Sequence, residues 1–92
     1  MEDKKFKVII VEDVKLELKG TEEIFRHEIP NAEVIGTAMT EQEVWTLIEA
    51  GVPDLVLLDL GLGGSTTIGV DICRNIFKRY PGVHVLDSRE KY

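Results

Sequence analysis

The sequence contains little of several residue types, and each scarcity excludes a class of protein. Cys73 is the single cysteine among 92 residues, which excludes a disulfide framework and a cysteine-based metal cluster and suits the reducing cytoplasm. The apolar run from Val8 to Val11 is far too short for a signal-peptide core or a membrane span. Eleven basic residues against 17 acidic ones give a net charge of −6, which argues against direct nucleic-acid binding. We therefore expect a cytoplasmic domain with no membrane and no nucleic-acid partner of its own.

The composition and length of the chain indicate one small globular domain over residues 1–92. Hydrophobic residues make up 43% of the chain and charged residues 30%, and the length leaves no room for a second core. Apolar runs of strand length alternate with segments of helical period, a βαβα pattern that predicts an α/β fold. The predicted strands cover residues 6–11, 33–37, 55–58 and 83–86.

Three helices are predicted between these strands. The first covers residues 14–28, and its apolar face consists of Leu16, Gly20, Ile24 and Phe25. The second begins at the cap Thr40, has Glu43 in a capping box and ends at Gly51. The third follows a loose loop over residues 61–67, and its apolar face consists of Ile72, Cys73, Ile76, Phe77 and Tyr80.

Acidic residues follow two of the predicted strands. Glu12 and Asp13 come directly after the first strand, and Asp59 comes directly after the third. In an open parallel sheet of order 2-1-3-4 the chain reverses direction between strands one and three, and ligands bind there, beyond the carboxyl ends of the strands. We therefore expect the three carboxylates to converge at that point.

Converging carboxylates repel one another, so such a cluster requires a cation or a proton that offsets the repulsion. At about 5 Å and an effective dielectric constant of 20, each pair of like charges costs roughly 3 kcal/mol. A magnesium ion would offset this repulsion, because it takes oxygen ligands and is commonly held by a few carboxylates, several waters and a phosphoryl group. Proton uptake by one of the acids is the alternative. Both remain open at this point.

Three motifs follow one another along the chain. They are the acidic pair Glu12-Asp13, the run Pro-Asp-Leu-Val-Leu-Leu-Asp-Leu at 53–60 and Gly-Val-Asp at 69–71. In type and order they resemble the motifs of the receiver domain of two-component response regulators, and the resemblance covers essentially the whole chain. It implies a flavodoxin-like, doubly wound parallel sheet of order 2-1-3-4.

The resemblance also implies a site and a function. Asp59 would accept a phosphoryl group from a phosphohistidine on a sensor histidine kinase or phosphotransfer protein. The magnesium ion would be held by Glu12, Asp13, Asp59 and the Gly61 carbonyl. The chain would then be a signalling protein and not an enzyme, with a change of protein partner as its output.

The sequence departs from the family pattern toward its C-terminal end. It stops soon after the predicted fourth strand, so the usual fourth helix, fifth strand and fifth helix are expected to be missing. The lysine that ends the fifth strand in the family has no counterpart, since Lys91 is too close to the fourth strand. Ser88 is the candidate for the switch hydroxyl, one residue earlier than usual.

These departures leave two functions open. An exposed fourth strand and a bare sheet face favour self-association, by strand pairing or by exchange of the C-terminal element between two copies. The acids favour a phosphorylated receiver, whereas the missing lysine favours a degenerate or truncated receiver that acts as a phosphorylation-independent interaction or dimerisation module. A phosphohydrolase resembling the haloacid dehalogenases is disfavoured, because those enzymes use Asp-x-Asp and this chain has Asp59-Leu60-Gly61.

Overall fold

The computed structural model describes residues 5–64 and 66–88, in which strands and helices alternate as predicted. The strands are β1 (Phe6–Val11), β2 (Ala32–Ala38), β3 (Leu55–Leu58) and β4 (His84–Asp87). The helices are α1 (Lys15–Glu28), α2 (Glu41–Ala50) and α3 (Thr66–Arg79), and a 3₁₀ turn (Leu62–Gly64) precedes α3. None of the helices in this part of the chain combines the length and the hydrophobicity that a membrane span requires.

The four strands form one parallel sheet of order β2-β1-β3-β4, which confirms the predicted fold. β1 and β3 lie in the centre, where both faces are covered, and this explains why their sequences are continuous apolar runs. Their predicted bounds are confirmed. β2 is one residue longer at each end than predicted and β4 is shifted by one residue, differences that are usual at strand ends.

Different helices cover the two faces of the sheet. On one face, α1 places Leu18 and Phe25 in a cluster with Val8, Ile10 and Leu57. On the other face, α2 and α3 form a larger cluster around the fully buried side chains of Ile9, Val44, Ile48, Val56, Leu58, Ile72 and Ile76. Because burying one such side chain contributes about 1.5–3 kcal/mol, the face under α2 and α3 contributes more to stability than the face under α1.

The start of α2 confirms the predicted cap with one difference. The Thr40 hydroxyl accepts a hydrogen bond from the Glu43 backbone N–H at 3.2 Å. The Glu43 carboxylate accepts from the Met39 N–H at 2.7 Å, one residue before the N–H that a standard capping box uses. Gly51 ends the helix, and its N–H donates to the Leu47 carbonyl.

The predicted apolar face of α1 is confirmed at Phe25 and wrong at its other three positions. Leu16 is 81% exposed and Ile24 is 50% exposed, whereas Leu18 and Phe25 are buried; Gly20 is exposed as well. Positions four apart drift around an α-helix, while positions seven apart, such as Leu18 and Phe25, stay close to one line. The buried line is therefore offset from the one predicted.

Three further helix predictions need correction. Phe77 is 74% exposed, because Ile72 and Ile76 set the buried line of α3 and Phe77 lies about 100° farther around the helix. α3 begins at Thr66, so the loop predicted over residues 61–67 is shorter and contains the 3₁₀ turn. Helix α1 also begins one residue later than predicted, because Val14 has extended backbone angles and is the N-cap residue, a difference that is usual at helix ends.

An aromatic contact joins α2 to α3. The guanidinium carbon of Arg79 lies 5.0 Å from the centroid of the Trp45 ring and 5.7 Å from that of Tyr80, within the range of cation–π interactions. Trp45 is partly buried against the larger cluster, and its indole N–H donates to Glu41 at 3.3 Å. Trp45 therefore packs the two helices together.

Candidate functional site

The carboxyl ends of β1 and β3 bring three acids together. The two strands pair in register with Val11 beside Leu58, so the next residues, Glu12 and Asp59, leave the sheet side by side. One carboxylate oxygen from each of Glu12, Asp13 and Asp59 lies within 4.8 Å of the other two. The structure thus brings together the acids expected to converge, and their role as ligands stays a prediction.

Glu12 is the buried member of this acid cluster, at 6% exposed. Burial raises the pKa of its carboxyl group, and the neighbouring charges of Asp59 and Glu17 raise it further. The Val14 N–H, which donates to the Glu12 carboxylate at 3.1 Å, opposes this change. The net direction is upward, so without a cation the cluster favours proton uptake by Glu12.

The loop that follows Asp59 holds it in place. Asp59 Oδ1 accepts a hydrogen bond from the Gly61 N–H at 2.9 Å. The Asp59 backbone N–H donates to the Val11 carbonyl at 3.1 Å, and the Asp59 carbonyl accepts from the Leu62 N–H at 3.0 Å. Both the main chain and the side chain of Asp59 are therefore oriented by neighbouring backbone groups.

The 3₁₀ turn orients the second acid of the cluster. Asp13 Oδ2 accepts a hydrogen bond from the Gly63 N–H at 2.9 Å. Gly63 and Gly64 have φ values of 72° and 76°, a conformation that residues with a side chain seldom adopt. The Gly64 N–H donates to the Gly61 carbonyl at 3.0 Å. Consecutive glycines therefore allow one short turn to bind both Asp13 and Gly61.

Two further predicted site residues lie at the same edge of the sheet. The Gly61 carbonyl accepts a hydrogen bond from the turn, and a carbonyl oxygen has a second lone pair with which it could bind a cation. Ser88 follows β4 directly and is half-buried; because the last residues of β3 and β4 pair, Ser88 leaves the sheet on the side of Asp59. Lys91 lies outside the described residues.

The potential metal ligands at this edge of the sheet fit magnesium. They are carboxylate oxygens that lie within 4.8 Å of one another, and magnesium prefers such hard oxygen ligands. Zinc sites, in contrast, are built mainly from histidine nitrogen and cysteine sulfur. A cation would also offset the repulsion between Glu12 and Asp59, which contributes to the raised pKa of Glu12.

Two contributors to the site were missed by the sequence predictions. Gly63 binds Asp13 from 50 residues away. The consecutive glycines at 63 and 64 indicate an unusual turn, but nothing in the sequence indicates that this turn binds Asp13. Gly69 belongs to the Gly-Val-Asp motif, and a Cβ atom built on it would lie 2.6 Å from the Leu60 carbonyl oxygen. A glycine inside a helical pattern can signal such a close backbone approach.

Comparison with protein families agrees with this geometry. The model of the response regulator receiver domain matches residues 8–87, a span that includes the three acids. The chain belongs to this family. Receiver domains generally bind magnesium at an acidic cluster, and the cluster of Glu12, Asp13 and Asp59 is the candidate in this receiver domain. A search of curated protein sequences found no match.

Solved structures of response regulators are similar to this receiver domain. PhyR from Brucella abortus is 30% identical with a TM-score of 0.74, and the match covers 88% of this chain and 32% of PhyR. PhyR from Bartonella quintana, solved in complex with the anti-sigma factor NepR, is 25% identical with a TM-score of 0.73 and the same coverage. RcsB from Salmonella typhimurium, at 18% identity, shares the fold, with a TM-score of 0.77 and coverage of 90% and 42%. The receiver domain thus spans less than half of each of these proteins.

Proposed function

We propose that this receiver domain accepts a phosphoryl group on Asp59 from a phosphohistidine of a sensor histidine kinase or phosphotransfer protein, in a magnesium-dependent step in the cytoplasm. The observation that carries the proposal is the convergence of carboxylate oxygens from Glu12, Asp13 and Asp59 within 4.8 Å. Membership of the receiver family supports it. The domain acts as a signalling protein whose output is a change of protein partner, and not as an enzyme.

The proposed reaction uses Asp59 as the nucleophile. A carboxylate oxygen attacks phosphorus and forms an O–P bond, while the N–P bond to the imidazole breaks and the nitrogen keeps the electron pair. The Gly61 N–H fixes the orientation of the carboxylate through Oδ1, and the backbone bonds to Val11 and Leu62 orient the main chain of Asp59. The nucleophile is therefore oriented before the phosphoryl group arrives, which reduces the entropy lost at that step.

Glu12, Asp13 and the Gly61 carbonyl would hold the metal together with the phosphoacceptor. When bound, magnesium neutralises negative charge on the phosphoryl oxygens and on the acids. The Gly63 N–H orients Asp13 and the Val14 N–H orients Glu12. These two hydrogen bonds hold the carboxylates near each other in spite of their repulsion.

Intact-mass analysis after incubation with acetyl phosphate and magnesium tests the proposal. The wild-type chain should gain one phosphoryl group, while Asp59→Asn should gain none and a chelator should prevent the gain. Asp54→Asn is the matched control, because Asp54 lies before β3 and outside the acid cluster; it should gain the group as the wild type does. A folded wild-type chain that gains nothing would contradict the proposal.

Protein interaction without phosphorylation is a second candidate function. Within the described residues β4 pairs with β3 alone, and Leu86 on β4 is 48% exposed. An unpaired strand edge next to exposed apolar side chains is typical of surfaces that associate. The proposed partner is a second copy, bound by pairing of β4 or by exchange of the C-terminal element.

Light scattering of the unphosphorylated chain at micromolar concentration tests this second function. A dimer mass is expected, and Leu86→Ser should reduce the dimer fraction. Leu16→Ser is the matched control, because Leu16 is also exposed but lies on α1. A folded monomer at these concentrations would exclude self-association.

A further inference from the structure

Gly69 lies against the main chain of the loop that carries the phosphoacceptor. It is buried near the start of α3. A Cβ atom at this position would lie 2.6 Å from the Leu60 carbonyl oxygen, 2.7 Å from Leu60 Cα and 2.9 Å from the Leu60 carbonyl carbon. Real Cβ atoms essentially never approach other heavy atoms within 3.0 Å. Glycine is therefore required for α3 to lie this close to Leu60.

The peptide group that Gly69 contacts is the one that orients Asp59. The Leu60 carbonyl and the Gly61 N–H belong to one planar peptide group. That N–H donates to Asp59 Oδ1 at 2.9 Å. A displacement of the Leu60 carbonyl must therefore move the Gly61 N–H, and with it the carboxylate that this N–H binds.

The loop is the side of this contact that would move. α3 is anchored by Ile72 and Ile76, which are both 0% exposed. Leu60 lies two residues beyond the end of β3, and the 3₁₀ turn that follows contains consecutive glycines. Because glycine main chain changes conformation at little cost, a side chain at position 69 would shift the loop more than the helix.

We infer that Gly69 is a positioning residue for phosphoryl acceptance, an inference that rests on the function proposed above. Gly69 acts through the peptide group between Leu60 and Gly61 and supplies no ligand itself. A Cβ atom there requires the loop to move by at least the difference between 2.6 Å and 3.0 Å. This movement changes the position of Asp59 Oδ1 relative to the other acids.

The test compares Gly69→Ala with Gly20→Ala, which adds the same methyl group elsewhere. A Cβ atom on Gly20 meets nothing within 4 Å, and Gly20 is exposed on α1. Gly69→Ala should accelerate hydrogen exchange at the Gly61 amide and slow phosphorylation by acetyl phosphate about tenfold at saturating magnesium. A misplacement of 1 Å can cost about a hundredfold in rate, and the shift required here is a fraction of that. Gly20→Ala should match the wild type in both measurements.

A folding defect is separated from misplacement within the same experiment. The folded fraction is measured for each variant, and rates are expressed per folded molecule. Gly69→Ala is also made in the Gly20→Ala background, because alanine stabilises an exposed helix interior relative to glycine. A merely structural role predicts faster exchange along all of α3 with a normal rate per folded molecule, whereas a positioning role predicts faster exchange at Gly61 together with a slower rate.

The outcomes separate this inference from the proposed function. A folded Gly69→Ala variant that reacts at the wild-type rate overturns the inference, and so does a double variant that fails to fold. A wild-type chain that gains no phosphoryl group contradicts the proposed function. In that case the inference is tested by hydrogen exchange alone. Unchanged exchange at the Gly61 amide of Gly69→Ala overturns it, and faster exchange confined to residues 59–64 supports it.

Discussion

The two ends of the sheet use aspartate in opposite ways. At the amino end, Asp54 Oδ2 accepts a hydrogen bond from the Lys7 N–H at 2.7 Å, and the Asp54 backbone binds Lys7 and His84, so one residue links three strands. At the carboxyl end, Asp59 lies within reach of Glu12 and Asp13. Asp54 stabilises the fold, whereas Asp59 adds repulsion to it, because Glu12 and Asp13 place like charges beside Asp59.

This difference separates residues that serve the fold from residues that serve the proposed reaction. Substitutions at the amino end should lower stability and leave phosphoryl acceptance unchanged. Substitutions in the acid cluster should impair acceptance and can raise the stability of the metal-free domain. A carboxylate therefore has to be judged by its neighbours and not by its residue type.

The largest expected effect is stabilisation by magnesium. At a magnesium concentration of 100 times the Kd, the free energy of unfolding should rise by about 2.7 kcal/mol, because the ion binds the acid cluster of the folded state. Urea titrations with magnesium and with a chelator measure this difference. Asp54→Asn should respond as the wild type does. Equal unfolding midpoints in the two titrations would show that the acids do not bind the ion.

The next effect is an increase in stability from removing one charge of the cluster. Glu12→Gln should stabilise the metal-free domain at pH 7 by about 1 kcal/mol, which is part of the like-charge repulsion at this separation. Glutamine can still accept the hydrogen bond from Val14, and it has no charge to bury. Urea titrations in chelator measure the change, and a variant less stable than the wild type at pH 7 would contradict it.

The same variant predicts a pH dependence with a definite sign. The pKa of Glu12 is raised in the folded state, so its contribution to stability is fully present below the unfolded pKa and is lost as the pH rises through the folded pKa. The advantage of Glu12→Gln should therefore grow with pH over this interval and be smallest in acid. An advantage that instead falls with rising pH would show that neither burial of the Glu12 charge nor its repulsion by Asp59 is the cause.

A smaller effect is expected at the opposite end of the sheet. Asp54→Ala should lower the free energy of unfolding by about 1 kcal/mol or less, because the Lys7 N–H loses its hydrogen-bond partner in a position open to water. Phosphorylation per folded molecule should not change. Urea titration and intact mass measure the two quantities, and a reduced rate would show that the two ends are coupled.

The smallest effect is expected from a surface ion pair that belongs to neither end. Glu22→Gln removes the charge that pairs with Arg26 at 2.6 Å on α1. Such exposed pairs contribute about 0.3 kcal/mol and are screened by salt. The stability lost in Glu22→Gln should therefore be slightly larger at low salt than at high salt, which urea titrations of the wild type and the variant measure. A loss of stability as large as that of Asp54→Ala would contradict the weak contribution expected of this ion pair.

The sequence predicted the sheet well because its central strands carry the signal in their composition. β1 and β3 contain continuous apolar runs, which are required of strands covered on both faces. Right-handed crossovers then favour the order 2-1-3-4. Since Glu12 and Asp59 follow these two strands directly, their neighbourhood could be predicted on the same basis.

Contacts that depend on how elements pack could not be predicted in this way. α1 contains more apolar residues than its buried line accommodates, and the angle at which it lies on the sheet decides that Leu18 is buried and Leu16 is exposed. The bond between Asp13 and Gly63 joins positions 50 residues apart. The role of Gly69 depends on the distance between α3 and a loop. No local pattern contains these distances.

The stacking of Arg79 on Trp45 has a practical consequence. Trp45 is the single tryptophan of the chain, and its ring lies 5.0 Å from a guanidinium group contributed by another helix. The indole emission therefore originates from one place, the joint between α2 and α3, and should change when these helices separate. The receiver domain thus contains its own fluorophore, with which unfolding of the larger core can be followed without a label.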